Sequence, residues 1–320
     1  MKQLTSLGFV ALTAALSLFV TACTKTPDPT NSTSEKQLQF QFAFDSTQVR
    51  LGSLGQPVSV PSGNGAQSPK FRTAAVHYIE LAQDSLTWVG TGALLYRGDE
   101  VTTGGTAAID FSKISVAAAN QIFKTIKFKD IPKGTYKWIR VSAAYQNFDI
   151  KYNVINTGLT APYNQFLNQT GTVGAFIGFN SYIQTFKPLN YTFSVNANKG
   201  QGFGGLESTI NTGLPAPYNQ VQIQNTWEGQ TGFTTVVNPA RLAIGVPLGS
   251  CLISAKLDKP LVVTGDETAD VLTTLSFSTN KSFEWIDRNG NGKLDVDKTT
   301  PANSDQVIDM GLRGLKVTTR

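Results

Sequence analysis

The stretch Gln37-Leu38-Gln39-Phe40-Gln41-Phe42-Ala43-Phe44-Asp45 alternates between apolar and mostly polar side chains. In an extended chain, Leu38, Phe40, Phe42 and Phe44 fall on one face, and the glutamines fall on the other. An alternation with a period of two is typical of a β-strand that buries one face. The stretch therefore predicts a strand packed against an apolar core.

Weaker runs of the same kind follow, separated by clusters of Gly, Asn, Pro and Thr that are typical of turns. One segment, Ile114–Phe123, is a candidate helix, although it is short and rich in Ala and Val. We expect an all-β fold, an antiparallel β-sandwich with room for an inserted hairpin region and at most one short helix. The further strands are predicted at Ala74–Leu81, Leu86–Tyr96, Ile122–Lys129, Tyr136–Tyr145, Val173–Phe179, Tyr191–Val195, Thr234–Val237, Leu252–Lys256 and Val271–Phe277.

The N-terminus predicts where the protein resides. Lys2 precedes an apolar stretch from Leu7 to Val20, an order typical of a secretory signal. The stretch is too short to cross a hydrocarbon layer of roughly 30 Å. Its ending, Val20-Thr21-Ala22-Cys23, resembles the lipobox of bacterial lipoproteins, in which cleavage before the cysteine leaves Cys23 to be acylated, as with palmitate. An ordinary signal with a fortuitous cysteine after the cleavage site is the alternative.

These features divide the chain into a signal peptide (1–22), an acylated Cys23 with a flexible tether (23–36) and a folded body (37–320). Residues 24–36 carry no large apolar side chain, so the segment cannot bury enough surface to order itself. A lipid on Cys23 makes the membrane one partner of the protein. The expected location is the bacterial outer membrane, and the sequence leaves open whether the body faces the periplasm or the cell surface.

Charge and cysteine content exclude some classes of protein. The formal net charge is +5, but the basic residues are scattered, which argues against nucleic-acid binding. The acidic residues concentrate near the C-terminus, since nine of the 22 fall within residues 266–309. With Cys23 acylated, only Cys251 remains, so no disulfide forms within the chain. The apolar neighbours of Cys251 predict a buried, inert thiol.

The segment Ile131-Pro132-Lys133-Gly134-Thr135-Tyr136 is a turn that leads into an alternating run. It resembles the start of a strand in the prealbumin-like and immunoglobulin-like sandwiches of bacterial surface lipoproteins. Together with the lipobox and an acidic loop near the C-terminus, it makes the chain similar to uncharacterised outer-membrane lipoproteins of the Bacteroidota type. The resemblance implies a fold and a location, and it implies no known activity.

An eleven-residue segment occurs twice, at Ile155–Gln165 and Ile210–Gln220, with a single difference between the copies. Both copies lie in a loop-rich region at about 156–240, and their Asn, Gly and Pro content predicts loops or hairpin turns. In one interpretation the loops stand side by side and bind a glycan or an envelope protein, because aromatic faces and amides suit such ligands. In the other, each tyrosine packs on its own loop. The candidate ligand-binding residues are Tyr163, Asn164, Tyr218 and Asn219.

Residues 287–297 match the first part of an EF-hand calcium loop, with oxygen side chains at positions 1, 3, 5 and 9 and Gly at position 6. Position 12 is Lys298 where an EF-hand has Glu, and the flanks predict strands, so we expect weak Ca²⁺ binding of about 10⁻⁴–10⁻³ M with a structural role. An Asn-Gly turn with solvated charges is the alternative. The candidate ligands are Asp287, Asn289, Asn291, the carbonyl of Lys293, Asp295 and, as a substitute ligand, Asp297.

The sequence does not predict an enzyme. His77 is the only histidine, so histidine-based triads and multi-histidine zinc sites lack their components. A pair of carboxylates would suffice for a glycosidase, for which Glu80, Glu207 and Glu228 are the candidates. We expect a lipid-anchored envelope protein with a non-catalytic binding or structural role. The alternative is an envelope hydrolase that acts on glycans or peptides.

Overall fold

In a computed structural model of the chain, the apolar face of the stretch at 37–45 lies in the largest core. Leu38, Phe40 and Phe42 have no exposed surface, which confirms the strand and its buried face. The structure describes residues 35–229, 237–240, 243–246 and 251–320. The predicted signal, Cys23, residues 24–34 of the predicted tether and residues 234–236 of the strand predicted at Thr234–Val237 lie outside the described residues.

The described chain is all-β. It contains no α-helix, only three single 3₁₀ turns at Phe111–Lys113, Phe128–Asp130 and Pro301–Asn303. No helix in this part of the chain is long and apolar enough to span a bilayer. The strands are β1 (Gln37–Asp45), β2 (Asn64–Gln67), β3 (Lys70–Ala82), β4 (Ala93–Arg97), β5 (Glu100–Val101), β6 (Ala108–Asp110), β7 (Val116–Ala118), β8 (Ile122–Lys127), β9 (Gly134–Ile155), β10 (Phe166–Phe176), β11 (Asn180–Phe186), β12 (Phe193–Gly200), β13 (Gly204–Asn211), β14 (Gln220–Trp227), β15 (Leu252–Val263), β16 (Val271–Ser278), β17 (Phe283–Ile286), β18 (Asp295–Asp297), β19 (Gln306–Asp309) and β20 (Leu315–Thr319).

Thirteen strands join into one sheet with the order β14-β13-β10-β9-β15-β20-β16-β1-β8. Strands β3 and β18 also pair with β9, and β4 and β7 pair with β3. Two smaller sheets have the orders β12-β11-β6-β5 and β19-β17-β2. The large sheet and the four-stranded sheet are mixed, which corrects the prediction of a wholly antiparallel fold: β1 runs parallel to β16, with Leu38 opposite Val271, and β6 runs parallel to β11. Strands so distant in sequence are not joined by a hairpin, and can therefore pair in either direction.

The predicted helix at Ile114–Phe123 is wrong. Val116–Ala118 forms β7 and pairs with β3, while Ile122 begins β8, which pairs with β1. Pairing with strands distant in sequence therefore overrides the weak local preference of an Ala-rich and Val-rich segment. Other boundaries also differ: the run predicted at Leu86–Tyr96 forms a strand only from Ala93, and β9 is 22 residues long.

The largest core gathers side chains from strands that are not neighbours in the sheet. They include Phe42 of β1, Ile79 of β3, Ile139 of β9 and Phe277 of β16, all fully buried. A second core lies around Phe148 and Trp285, and a third around Phe176 and Phe186. Burial on this scale supplies the main stabilisation of a fold that has no disulfide in its described part.

Strand direction defines two ends of the sheet. Strands β1 and β9 begin at the same end, where Phe128 N donates to Lys36 O at 2.9 Å just before β9 starts. We call this the proximal end. Phe44, near the end of β1, contacts Phe71, which contacts Phe148 of β9. Strand β9 continues for seven more residues, about 23 Å at a rise of roughly 3.3 Å per residue. It stops at Ile155, which marks the distal end.

Candidate functional site

The two copies of the repeat form the same hairpin turn. Tip 1 (residues 156–165) joins β9 to β10, and tip 2 (residues 212–219) joins β13 to β14. Thr157 N donates to Asn164 O at 3.1 Å, and Thr212 N donates to Asn219 O at 3.0 Å. Both threonine hydroxyls donate to the carbonyl of the tip's tyrosine at 2.5 Å. Nearly identical sequences therefore adopt the same hydrogen-bonded turn.

Each tip depends on a glycine at the same position. Gly158 and Gly213 have φ values of 83° and 76°, in the left-handed region that only glycine adopts without steric cost. Each glycine directly follows the threonine whose hydroxyl holds the turn. The Ala-Pro peptide bond is cis in both tips.

Both tips lie at the distal end, side by side. Strand β10 pairs antiparallel with β13, with Gly171 opposite Ser208, so the start of β10 and the end of β13 are at the same end of the sheet. The two hairpins are centred two strand spacings apart, about 10 Å. Tyr218 is 71% exposed and Leu159 is 55% exposed, whereas Tyr163 is half-buried. Asn164 and Asn219 are both exposed, so their side-chain amides are accessible to solvent.

The acidic loop (residues 287–295) folds back on its first residue. Asp287 Oδ1 accepts from Gly290 N at 2.9 Å, and its Oδ2 accepts from Gly292 N at 2.7 Å. Both glycines have positive φ, near 70°, which allows the sharp bend that the sequence predicts. The first and sixth positions of the motif are therefore in direct contact.

Three of the predicted ligand residues converge. The side-chain amides of Asn289 and Asn291 both donate to Asp295 Oδ2 at 2.7 Å. Asp295 Oδ1 accepts from Asn153 Nδ2 of β9 at 2.8 Å. Asp295 is 2% exposed, so these bonds are needed to offset the cost of removing its carboxylate from water.

The carbonyl of Lys293 points toward the core side of the loop, where it accepts from Trp285 Nε1 at 3.1 Å. A cleft of about 400 Å³ opens beside it, within the size range of small-ligand sites. Its lining includes Gln67, Lys151, Asn168, Trp285 and Lys293.

The Asp297 carboxylate is engaged outside this convergence. Its Oδ1 accepts from Thr299 N at 3.0 Å and Thr300 N at 2.8 Å, and its Oδ2 accepts from Asn156 Nδ2 of tip 1 at 2.7 Å. The backbone hydrogen bond from Thr300, followed by that from the Asn156 side chain, lowers the pKa of Asp297 below its ordinary value of 3.8. Strand β18 also pairs with the end of β9, so the acidic loop and tip 1 share one support.

Asp305 contacts the acidic loop, although the sequence motif does not include it. Its carboxylate accepts from Arg288 N at 2.9 Å and from Asp295 N at 2.7 Å. Burial raises the pKa of Asp305, and the nearby charges of Asp295 and Asp287 raise it further. The acidic composition of 266–309 was the only signal for this residue, because the contact is made across a turn that has no fixed spacing.

The donor atoms around the loop are of the type that Ca²⁺ prefers, namely carboxylate, amide and carbonyl oxygens. Within the described residues, no group of three or more His, Cys, Asp and Glu side chains is arranged to hold a metal ion. Asn289 and Asn291 present nitrogen atoms to Asp295, so calcium would require both amides to turn their oxygens toward it. The residue types fit calcium, whereas in this structure the amide oxygens of Asn289 and Asn291 accept hydrogen bonds from Asn291 N and Lys293 N.

The three candidate carboxylates of a hydrolase each hold a different part of the fold. Glu80 is fully buried, accepts from Gly90 N and Gly92 N, and pairs with Arg140 at 3.2 Å. Glu207 Oε2 accepts from three successive backbone N–H groups, at residues 189–191. Glu228 is exposed and pairs with Lys199 at 2.5 Å.

The lone histidine and the lone described cysteine are both buried. His77 Nε2 lies 3.1 Å from Glu100 Oε1, and burial lowers the pKa of His77 below its ordinary value of 6.5, against the opposing effect of Glu100. The Cys251 thiol is fully buried, and burial raises its pKa to about 12. A thiol with so high a pKa is inert, as the sequence predicts.

No family model matches this chain, and no curated protein or solved structure has detectable similarity to it.

Proposed function

We propose that this protein is a lipid-anchored, non-catalytic binding component of a bacterial outer membrane, and that its distal end contacts the ligand. The observation that carries the proposal is the position of the duplicated tips. Both lie at the end of the sheet opposite to Lys36, where the tether would join the body. An anchor at one end and repeated exposed side chains at the other suit a protein that presents a binding surface away from its membrane.

The anchor in this proposal is Cys23, acylated after cleavage of the signal. The 14 residues from Cys23 to Lys36 would act as a flexible tether with a typical end-to-end distance of about 20 Å. Incorporation of labelled palmitate in the native host tests this step. We expect label in the wild type and none in Cys23→Ser.

The finer fold assignment is also a proposal. We infer a prealbumin-like or immunoglobulin-like sandwich of the kind found in outer-membrane lipoproteins of the Bacteroidota type. Its support is a hydrogen bond of 2.7 Å from Tyr136 Oη to Pro132 O at the start of β9. A tyrosine near the start of a strand that bonds to the backbone a few residues upstream is a feature of immunoglobulin-like domains.

The chemistry of the tips indicates the class of ligand. Tyr163 and Tyr218 offer aromatic faces, and Asn164 and Asn219 offer amides that both donate and accept hydrogen bonds. This combination suits a glycan or a polypeptide of the envelope. The exposed leucine of tip 1 adds apolar surface beside these groups.

We propose that calcium stabilises this end. Its ligands would be Asp287, Asn289, Asn291, the Lys293 carbonyl and Asp295. Of these, Asn289 and Asn291 already contact Asp295. The ion would have a structural role, because β18 leaves the acidic loop directly and pairs with β9 at the base of tip 1. Asp297 would contribute by holding tip 1 through Asn156.

The experiment that tests the binding proposal uses the double variant Tyr163→Ala/Tyr218→Ala. Binding of the full chain to a bacterial glycan array and to isolated envelope proteins is expected to fall relative to the wild type. Tyr191→Ala is the matched control, since Tyr191 is 43% exposed but lies outside both tips. Unchanged binding by the double variant would overturn the assignment of the tips as the binding surface.

A further inference from the structure

Strand β14 forms one end of the large sheet, and its outer side is open in the described part of the chain. It pairs with β13 through eight consecutive residue pairs without a register shift. The hydrogen bond from Thr212 N to Asn219 O marks a hydrogen-bonded pair, and such pairs alternate along an antiparallel ladder. The residues whose N–H and C=O groups point outward are therefore Gln220, Gln222, Gln224 and Thr226.

This edge lacks the usual protection against strand addition. Natural edge strands carry charges, prolines or bulges that block pairing with another chain. Strand β14 is Gln-Val-Gln-Ile-Gln-Asn-Thr-Trp, which has neither a charge nor a proline. Strand β8, at the other end of the sheet order, carries Lys124 and Lys127 and has a register shift opposite Phe40 and Gln41. The difference between the two edges indicates that β14 accepts a strand.

The described residues after β14 lead away from this open side. Trp227 Nε1 donates to Gly202 O at 2.8 Å, and Glu228 pairs with Lys199 of β12. The next described segment begins at Val237, whose carbonyl accepts from Ser254 N of β15, beyond β13, β10 and β9 in the sheet. At its other end, β14 begins directly after tip 2, so the open edge is continuous with the proposed binding surface.

We propose that β14 binds an extended segment of another envelope polypeptide, which adds to the sheet as a further strand. Because β14 is uncharged and rich in glutamine, the matching segment is one with uncharged polar side chains, whose amides can pair with those of β14. A second copy is the other possible occupant. Antiparallel pairing of two β14 strands would place the proximal ends of the two copies at opposite ends of the dimer. Two copies anchored through Cys23 in the same membrane could not adopt this arrangement. This choice of occupant rests on the proposed function, whereas the open edge does not.

The test uses the full chain and a fluorescein-labelled octapeptide of alternating glutamine and threonine, an uncharged polar strand that copies no segment of this chain. Gln224→Pro removes an outward N–H and leaves the bonds to β13 in place, and Gln224→Lys adds a charge to the edge. Gln184→Lys is the control, because it adds the same charge to an exposed residue of β11, a strand of another sheet. Each variant's melting temperature is measured first, so that loss of binding is not confused with loss of fold.

We expect the wild type and Gln184→Lys to bind the peptide. Gln224→Pro should bind about tenfold more weakly, the loss expected for one or two backbone hydrogen bonds. Gln224→Lys should also bind more weakly, because a charge on an edge strand opposes strand addition. No binding by the wild type, or binding by both Gln224 variants that equals that of the wild type, would overturn the proposal. A concentration-dependent dimer that Gln224→Lys dissociates would also overturn it, in favour of a second copy. None of these results depends on Tyr163 or Tyr218, so the proposed function of the tips is tested separately.

Discussion

Asn156 and Asp297, 141 positions apart in sequence, are joined by a hydrogen bond of 2.7 Å between Nδ2 and Oδ2. The bond links the first residue of tip 1 to the strand that leaves the acidic loop. Two features that are separate in the sequence, the repeat and the calcium-type motif, therefore meet at one end of the sheet. This contact gives the acidic loop a direct means of holding one tip and not the other.

Asp297→Ala is expected to loosen tip 1 selectively. The variant loses the bond to Asn156 and the two backbone bonds at Thr299 and Thr300. Hydrogen exchange of the tip 1 amides should accelerate, while tip 2, which has the same turn, serves as an internal control. Asp266→Ala, at an exposed position of the same acidic segment, should leave both tips unchanged. Equal acceleration in both tips would show that the effect is not carried by this contact.

Calcium is expected to raise the melting temperature, and EDTA to reverse the increase. With the ion well above its dissociation constant, mass action gives about 1–3 kcal/mol of added stability. Asp287→Ala and Asp295→Ala should abolish the increment, since these carboxylates would bind the ion directly. Asp297→Ala should retain it, because the Asp297 carboxylate is bonded elsewhere. If calcium does not raise the melting temperature of the wild type, the proposed calcium site is contradicted.

Substitution of Arg140 alone in the buried pair Glu80–Arg140 is expected to lower the unfolding free energy strongly. Both side chains are at most 1% exposed, and removal of one partner leaves an uncompensated buried charge. Arg140→Met should therefore cost about 3–5 kcal/mol of unfolding free energy, and the double variant Glu80→Leu/Arg140→Met less. Urea denaturation measures both values. For comparison, Glu228→Gln breaks an exposed pair and should cost less than about 1 kcal/mol. A double variant no more stable than Arg140→Met would contradict the account.

His77 is expected to make stability depend on pH. Its folded pKa lies below the ordinary value of 6.5 because burial disfavours the charged ring, so the unfolded chain takes up the proton first. Unfolding free energy should thus fall as pH drops below about 6.5, and the loss should level off below the folded pKa. Glu100 and Arg97 face the ring and oppose each other's effect. His77→Gln should flatten the profile between about pH 7.5 and pH 5.5, and identical profiles would exclude His77 as the cause.

Local patterns predicted the strands, and long-range pairing explains what they missed. The alternation at 37–45 identified β1, because a buried face is encoded in each residue of the strand. It did not reveal that β1 pairs in parallel with a strand near the C-terminus, since no local pattern encodes a partner that distant. The same limit explains why the local sequence of Ile114–Phe123 favours a helix, whereas the segment forms β7 and the start of β8.

In the candidate site too, the local sequence predicted contacts within a loop but not contacts between distant parts of the chain. Spacing within the acidic loop predicted that Asn289, Asn291 and Asp295 approach one another, because a tight loop brings alternate side chains together. It could not predict the hydrogen bonds of Asp295 to Asn153 or to Asp305, which depend on the packing of β9 and on a turn further along the chain. That tip 2 lies beside tip 1 followed only from the pairing of β10 with β13.

The most direct test of the binding proposal is site-specific photo-crosslinking in the native envelope. A photoreactive phenylalanine is placed at Tyr163, at Tyr218 or, as the control, at Tyr191, and the adducts are compared after irradiation. We predict a common adduct from the two tip positions and none of that species from position 191. A tip pair without adducts, or the same adduct from all three positions, would contradict the claim that the distal tips form the binding surface.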